Sequence, residues 1–213
     1  MAQKLAKPSH DIKGVYALTP DSLHTDELSG RVRSACVGGI SVLQYRNKVA
    51  DAPLRLAQAL ALREVTTEFG VTFIVNDDAQ LAVRVNADGV HLGATDGSVE
   101  HARALLGKDK LIGVSCYNQL QLARDAVQAG ADYVAFGAFY SSSVKPEAAV
   151  ATLDLLRVAR AEIQVPIVAI GGIDTSNGAN LVAAGADALA VISAVFDAAD
   201  IQMAVKNLNR LFN

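Results

Sequence analysis

Three times along this 213-residue chain a short polar lead-in ending in Ala-Asp runs into an apolar segment that stops at Gly or Ser. Asn86-Ala87-Asp88 precedes GVHLG, Gly130-Ala131-Asp132 precedes YVAFG, and Gly185-Ala186-Asp187 precedes ALAVIS. A looser relative, Gly38-Gly39-Ile40, leads into SVLQYR. Asp132 follows Asp88 by 44 residues and Asp187 follows Asp132 by 55. Each interval is about twice the length of a strand-plus-helix unit, so a further unit belongs between each pair.

Those units are visible. KGVYAL (13–18), TFIVN (72–76), KLIGVS (110–115) and PIVAIG (166–171) are short continuous apolar runs, as strands buried on both faces require. Between them, 54–69, 119–129 and 201–212 repeat apolar residues at spacings of three and four, the period of a helix packed on one face. Gly70, Gly107 and Gly130 stand where helices would end. Eight strands alternating with helices in this length predict an α/β fold, a single (β/α)8 TIM barrel spanning 1–213 with 1–12 as an N-terminal extension. An open doubly wound sheet is the alternative, but no GxGxxG follows the first strand.

Composition narrows the function. With 51% hydrophobic and 19% charged residues the chain is not broadly disordered. A net charge of −3 argues against a general nucleic-acid or anionic-membrane binder, so any phosphate must be held by a local cluster. Cys36 and Cys116 have neither metal-ligand nor disulfide spacing and read as small buried residues. The start, MAQKLAKPSH, lacks an apolar core of signal-peptide length, and the apolar stretch 188–196 is too short to cross a bilayer. A cytoplasmic protein acting on small molecules, without nucleic-acid or membrane partners, is expected; the sequence leaves a homo-oligomer open.

In such barrels chemistry sits at the carboxyl ends of the strands, and polar residues collect there. Gln44, Arg46 and Lys48 alternate, placing two cations and an amide on one side of an extended segment, a set suited to a diphosphate. The plain alternative is a solvated strand end. Asn76 and Asp77 end another strand, with Asp78 expected as the N-cap of a helix at 79–83. If Asp96, beyond the next strand, faces Asp77, the two offer carboxylate oxygens to Mg2+, which is commonly held by one or two carboxylates plus phosphate oxygens. Gly171-Gly172 and Ser193, at the ends of the seventh and eighth strands, match the usual phosphate site of these barrels, although glycines there also simply turn the chain. His91 is either a site residue or a satisfied barrel-top histidine. Two anionic ligands follow, a metal-bound diphosphate and a monophosphate.

With these residues in view the chain resembles thiamine phosphate synthase from about Gly14 to Phe196. The markers are Gln44-x-Arg46-x-Lys48, Asn76-Asp77, His91-Leu92-Gly93 with Asp96, Gly113-Val114-Ser115, Lys145-Pro146, Ala169 to Ile173, and Val191 to Ala194. The resemblance implies a transferase joining hydroxymethylpyrimidine diphosphate to hydroxyethylthiazole phosphate, giving thiamine monophosphate and pyrophosphate. It implies that Gln44, Arg46, Lys48, Asn76, Ser115 and Lys145 hold the pyrimidine diphosphate, with Arg46, Lys48 and Lys145 carrying the catalysis. It further implies that Asp77 and Asp96 bind Mg2+, and that Ser142, Gly172, Ile192 and Ser193 line the thiazole phosphate site. The implied reaction passes through Mg-assisted pyrophosphate departure and a carbocation-like pyrimidine methylene, with no protein nucleophile. One loop departs from the family pattern Gly-Pro-x-Phe-x-Thr-x-Thr-Lys, reading Gly137 to Lys145 as GAFYSSSVK. Ser142 keeps a hydroxyl where the first Thr stands; Val144 replaces the second, leaving Ser143 as the neighbouring hydroxyl. The rival on the same barrel is a thiazole tautomerase-like or regulatory paralogue that performs no coupling, against which Arg46, Lys48, Asp77, Asp96 and Lys145 argue.

Overall fold

Eight parallel strands close on themselves in sequence order, each hydrogen-bonded to the next and the last to the first. The structure is a computed structural model that describes residues 11–140 and 151–213. Its strands are β1 (Gly14–Leu18), β2 (Val42–Tyr45), β3 (Thr72–Asn76), β4 (Gly89–Leu92), β5 (Leu111–Tyr117), β6 (Tyr133–Gly137), β7 (Ile167–Ile170) and β8 (Ala188–Val191). All the expected apolar runs are strands, and the expected barrel is the observed one. Helices alternate with them: α1 (Thr25–Gly38), α2 (Ala52–Phe69), α3 (Ala79–Arg84), α4 (Val99–Leu106), α5 (Leu120–Gln128), α6 (Leu153–Glu162), α7 (Gly178–Ala183) and α8 (Ser193–Phe196), followed by α9 (Ile201–Asn209) and a 3-10 turn, Arg210–Phe212.

Local chemistry sets the helix ends. Asp78 accepts a hydrogen bond from Leu81 N–H at 2.8 Å and caps α3, as its position after a strand suggests. Gly70 ends α2 in the left-handed region with φ 66°, where a side chain would be strained.

Two apolar layers follow from the period of two along each strand. Leu43, Tyr45, Val75, Val90, Leu92 and Ile112 face outward into the shell between strands and helices. Tyr16, Leu18, Val42, Ile74, Tyr133, Val168, Ala188 and Ala190 fill the barrel interior. Ile12, which the sequence places in an N-terminal extension, is buried in this interior cluster. Gly113 is what admits the Tyr133 ring: a Cβ there would come within 2.0 Å of it. Cys36 and Cys116 are buried, and burial pushes both thiols up to about 12.

The repeated Ala-Asp turns out to be a clamp at the amino-terminal end of the strands. Asp88 accepts from Phe73 N–H (2.8 Å), Asp132 from Ile112 N–H (2.7 Å) and Asp187 from Ile167 N–H (2.7 Å). An arginine two elements earlier completes each unit: Arg63 of α2 on Asp88 (2.8 Å), Arg103 of α4 on Asp132 (2.5 Å) and Arg160 of α6 on Asp187 (2.9 Å). Each clamp therefore ties an even-numbered helix to the strands on both sides of the following helix. At the corresponding place before β2 stands Ser41, which explains why that repeat reads only loosely.

Candidate active site

The opposite, carboxyl-terminal end of the barrel carries a cavity of about 270 Å³ between β2, β3 and the start of α2. Arg46, Lys48, Arg55, Asn76 and Asp77 are among its walls. The strand β2 stops at Tyr45, so Arg46 and Lys48 reach the cavity from a loop and not as alternating strand positions. Gln44 belongs to β2 proper and is buried on the interior side, in register with Leu18 and Ile74.

Two residues brace that loop. Thr19, fully buried at the end of β1, donates to Arg46 C=O at 2.7 Å and accepts from Arg46 N–H at 2.8 Å. Asp21 accepts from the Arg46 guanidinium (3.2 Å) and from Lys48 N–H (2.8 Å). Nothing in the spacing of the sequence marks Asp21, because its partners lie 25 and 27 residues away. Arg55 is the other residue that sequence reasoning missed. It sits in the first turns of α2, 3.6 Å from Asp78, and its buried Nε has no hydrogen-bond partner among the described residues. An arginine in an amphipathic helix ordinarily reads as a solvated face, and no sequence signal separates this one.

The two acidic residues do meet. Asp77 stands at φ 64°, uncommon for a residue with a side chain, with its N–H bonded to His91 C=O at 2.8 Å. The Asp96 carboxyl is near enough to act on it electrostatically. Burial first, then this like-charged neighbour, pushes Asp77 up to about 6, while Lys48, 4.0 Å away, pulls it back. Asp96 is itself held by Gly93 N–H at 2.9 Å, and a Cβ on Gly93 would lie 2.7 Å from the carboxylate. That close approach accounts for the glycine in the His91-Leu92-Gly93 segment. Two neighbouring like-charged carboxyls are stabilised by a cation between them, and an oxygen-only donor set is the kind Mg2+ takes. Among the described residues no third His, Cys, Asp or Glu joins them, so the residues fit a metal that shares its shell with substrate oxygens and water.

His91 is a satisfied barrel-top histidine and at the same time touches a predicted site residue. Its Nδ1 lies 3.1 Å from Tyr133 Oη and its Nε2 2.9 Å from Ser115 Oγ. Burial lowers it to about 4, so the ring is neutral.

On the far side of the mouth, Gly171 and Gly172 follow β7 with φ 106° and 61°, and Ser193 begins α8 exposed to solvent, as the sequence suggests. Ile192 immediately precedes it, half-buried against the interior cluster. Ser142, Ser143, Val144 and Lys145 lie outside the described residues.

The Thiamine monophosphate synthase family model matches residues 15–195, which takes in all eight strands of the barrel save Gly14, the first residue of β1. This chain is a member of that family. It is 53% identical over 199 residues to a thiamine-phosphate synthase of Thiobacillus denitrificans, covering 93% of this chain and 94% of the relative. A thiamine-phosphate synthase of Methylobacillus flagellatus is 50% identical over 202 residues, covering 95% and 96%. Among solved structures, thiamine phosphate pyrophosphorylase from Pyrococcus furiosus superposes with a TM-score of 0.85 at 32% identity, covering 95% of this chain and 96% of that one. Membership in the family, and not the barrel alone, is therefore what these likenesses establish. Among the described residues no helix is long and apolar enough to cross a membrane.

Proposed function

We propose that this enzyme couples hydroxymethylpyrimidine diphosphate to hydroxyethylthiazole phosphate, releasing pyrophosphate and thiamine monophosphate. The observation that carries the reading is the pairing of a cationic cavity wall with two neighbouring carboxyls at one end of a barrel of this family. Arg46, Lys48 and Arg55 supply positive charge around the diphosphate, and Lys145, which follows β6 in the sequence, adds to it. Gln44, Asn76 and Ser115 orient the pyrimidine half. Asp77 and Asp96 hold Mg2+, which when bound offsets negative charge on the diphosphate oxygens.

In the reaction the bond between the pyrimidine methylene and the bridging oxygen breaks, and both electrons leave with pyrophosphate. Preorganised cations stabilise that charge as it grows, without reorganisation cost at the moment of cleavage. The methylene, carbocation-like, is captured by the thiazole nitrogen, whose lone pair forms the new C–N bond. Gly172, Ile192 and Ser193, with the hydroxyls of Ser142 and Ser143 and the side chain of Val144, hold the thiazole phosphate so that this nitrogen faces the methylene. Proximity of the two substrates is the other part of the catalysis.

Purified protein given Mg2+ and both substrates is expected to yield thiamine monophosphate by mass spectrometry and stoichiometric pyrophosphate. A non-coupling paralogue would yield neither, and that result would sink the reading. Asp77→Ala is expected to abolish coupling while circular dichroism stays unchanged; near-normal activity in that variant would remove Asp77 from the metal site.

A further inference from the structure

A row of hydrogen-bonded side chains crosses the barrel interior. Tyr16 Oη and Tyr133 Oη are 2.9 Å apart, Tyr133 Oη and His91 Nδ1 3.1 Å, and His91 Nε2 and Ser115 Oγ 2.9 Å. The rings of Tyr133 and His91 lie 5.5 Å apart at 32° to each other. Both tyrosines and the histidine are buried, whereas Ser115 is half-buried at the carboxyl end of β5.

The end of the row sets its direction. Among the described residues Tyr16 Oη has one hydrogen-bond partner, Tyr133 Oη, so the Tyr16 hydrogen is satisfied only if it is donated there. A phenol carries a single hydrogen, and that of Tyr133 is then free to go to His91 Nδ1. A neutral imidazole has one acceptor and one donor nitrogen; with Nδ1 accepting, Nε2 carries the proton and donates to Ser115 Oγ. Ser115 receives that bond on a lone pair, and its own hydrogen is left to point into the site. The opposite polarity would strand the Tyr16 hydrogen in the barrel interior and present an anion with the serine lone pairs.

We propose that Tyr16, Tyr133 and His91 form a directional hydrogen-bond relay that holds Ser115 as a donor towards the substrate diphosphate. His91 is a positioning residue in this scheme, acting through Ser115. The inference rests on the reading of Ser115 as a diphosphate ligand, and the two are separable by experiment.

Long-range proton–nitrogen NMR of 15N-histidine protein, with the His91 signals assigned by their loss in His91→Asn, reads the tautomer without any substrate. The Nε2–H form is expected; the Nδ1–H form would overturn the relay. Tyr16→Phe is expected to keep the Nε2–H form, since Tyr133 still donates. Tyr133→Phe is expected to lose that preference and to raise KM for the pyrimidine diphosphate about tenfold, the scale of one hydrogen bond to a charged group. A Tyr133→Phe protein with unchanged tautomer and KM would sink the proposal. In a Ser115→Ala background Tyr133→Phe should have no further effect on KM, and an additive effect would show that Tyr133 acts by another route. If Ser115→Ala alone leaves KM unchanged, the diphosphate assignment of Ser115 fails and takes the outward half of the relay with it. The tautomer spectrum decides the inward half independently.

Discussion

Asp77 is the residue at which stability and chemistry oppose each other. Its value of about 6 lies above the ordinary 3.8, so the folded protein binds this proton more tightly than the unfolded chain does. Protonation therefore adds stability as pH falls through about 6 towards 4, and above 6 the charged carboxylate beside Asp96 costs stability. Asp77→Asn removes that cost in a residue type that tolerates positive φ. In metal-free protein the variant is expected to melt higher than wild type at pH 7.5, with the difference shrinking by pH 5. Added Mg2+ should raise the wild-type melting temperature and leave the variant unmoved, by linkage to a site that only the wild type keeps. Scanning calorimetry checks both; a variant less stable than wild type at pH 7.5 would contradict the strain assigned to the pair. Sequence made Asp77 legible because a second acid directly after a strand is in excess of what capping needs. Asp21 and Arg55 were illegible for the opposite reason, since each takes its meaning from a partner that only the closed barrel brings near.

Among the elements, the three Asp–Arg clamps show what a repeat in sequence can and cannot reveal. The Ala-Asp lead-ins are readable as a strand count because each must occur directly before a strand to reach the neighbouring backbone N–H. Their arginines are not, as the gap from Arg63 to Asp88 or from Arg103 to Asp132 spans a strand and a helix of variable length. Asp132→Ala strands the buried Ile112 N–H and leaves Arg103 without its carboxylate. A loss of about 1–3 kcal/mol in urea unfolding is expected, with kcat/KM unchanged at temperatures where the variant stays folded. A fall in kcat/KM with stability intact would mean that the amino-terminal face takes part in chemistry. The end of β2 was the least legible boundary: alternation of polar residues continues to Lys48, while the ladder stops at Tyr45 because Thr19 and Asp21 capture the next residues.

At the level of the molecule, a chain with a net charge of −3 concentrates Arg46, Lys48 and Arg55 around one cavity. Attraction of an anion to that wall is local and open to screening. The Kd for pyrophosphate in the presence of Mg2+, measured by titration calorimetry, is expected to rise several-fold between about 0.01 and 0.1 M salt, as the screening length falls from about 30 to about 10 Å. A Kd independent of salt would place the anion elsewhere. The barrel itself was legible nearly strand by strand, since burial on both faces leaves continuous apolar runs that no surface loop imitates.

Gly113 admits the Tyr133 ring, and with Tyr16 and Ile12 it leaves the lower barrel solid. Among the described residues the mouth is thus a cul-de-sac, its floor filled by these side chains. Whatever enters at the strand tips must leave the way it came, and a second guest seated over the first becomes its gaoler. If the two guests of a joining reaction stack in that mouth, the fragments depart in an order fixed by depth, and the filled floor of the barrel sets the sequence of traffic at its rim.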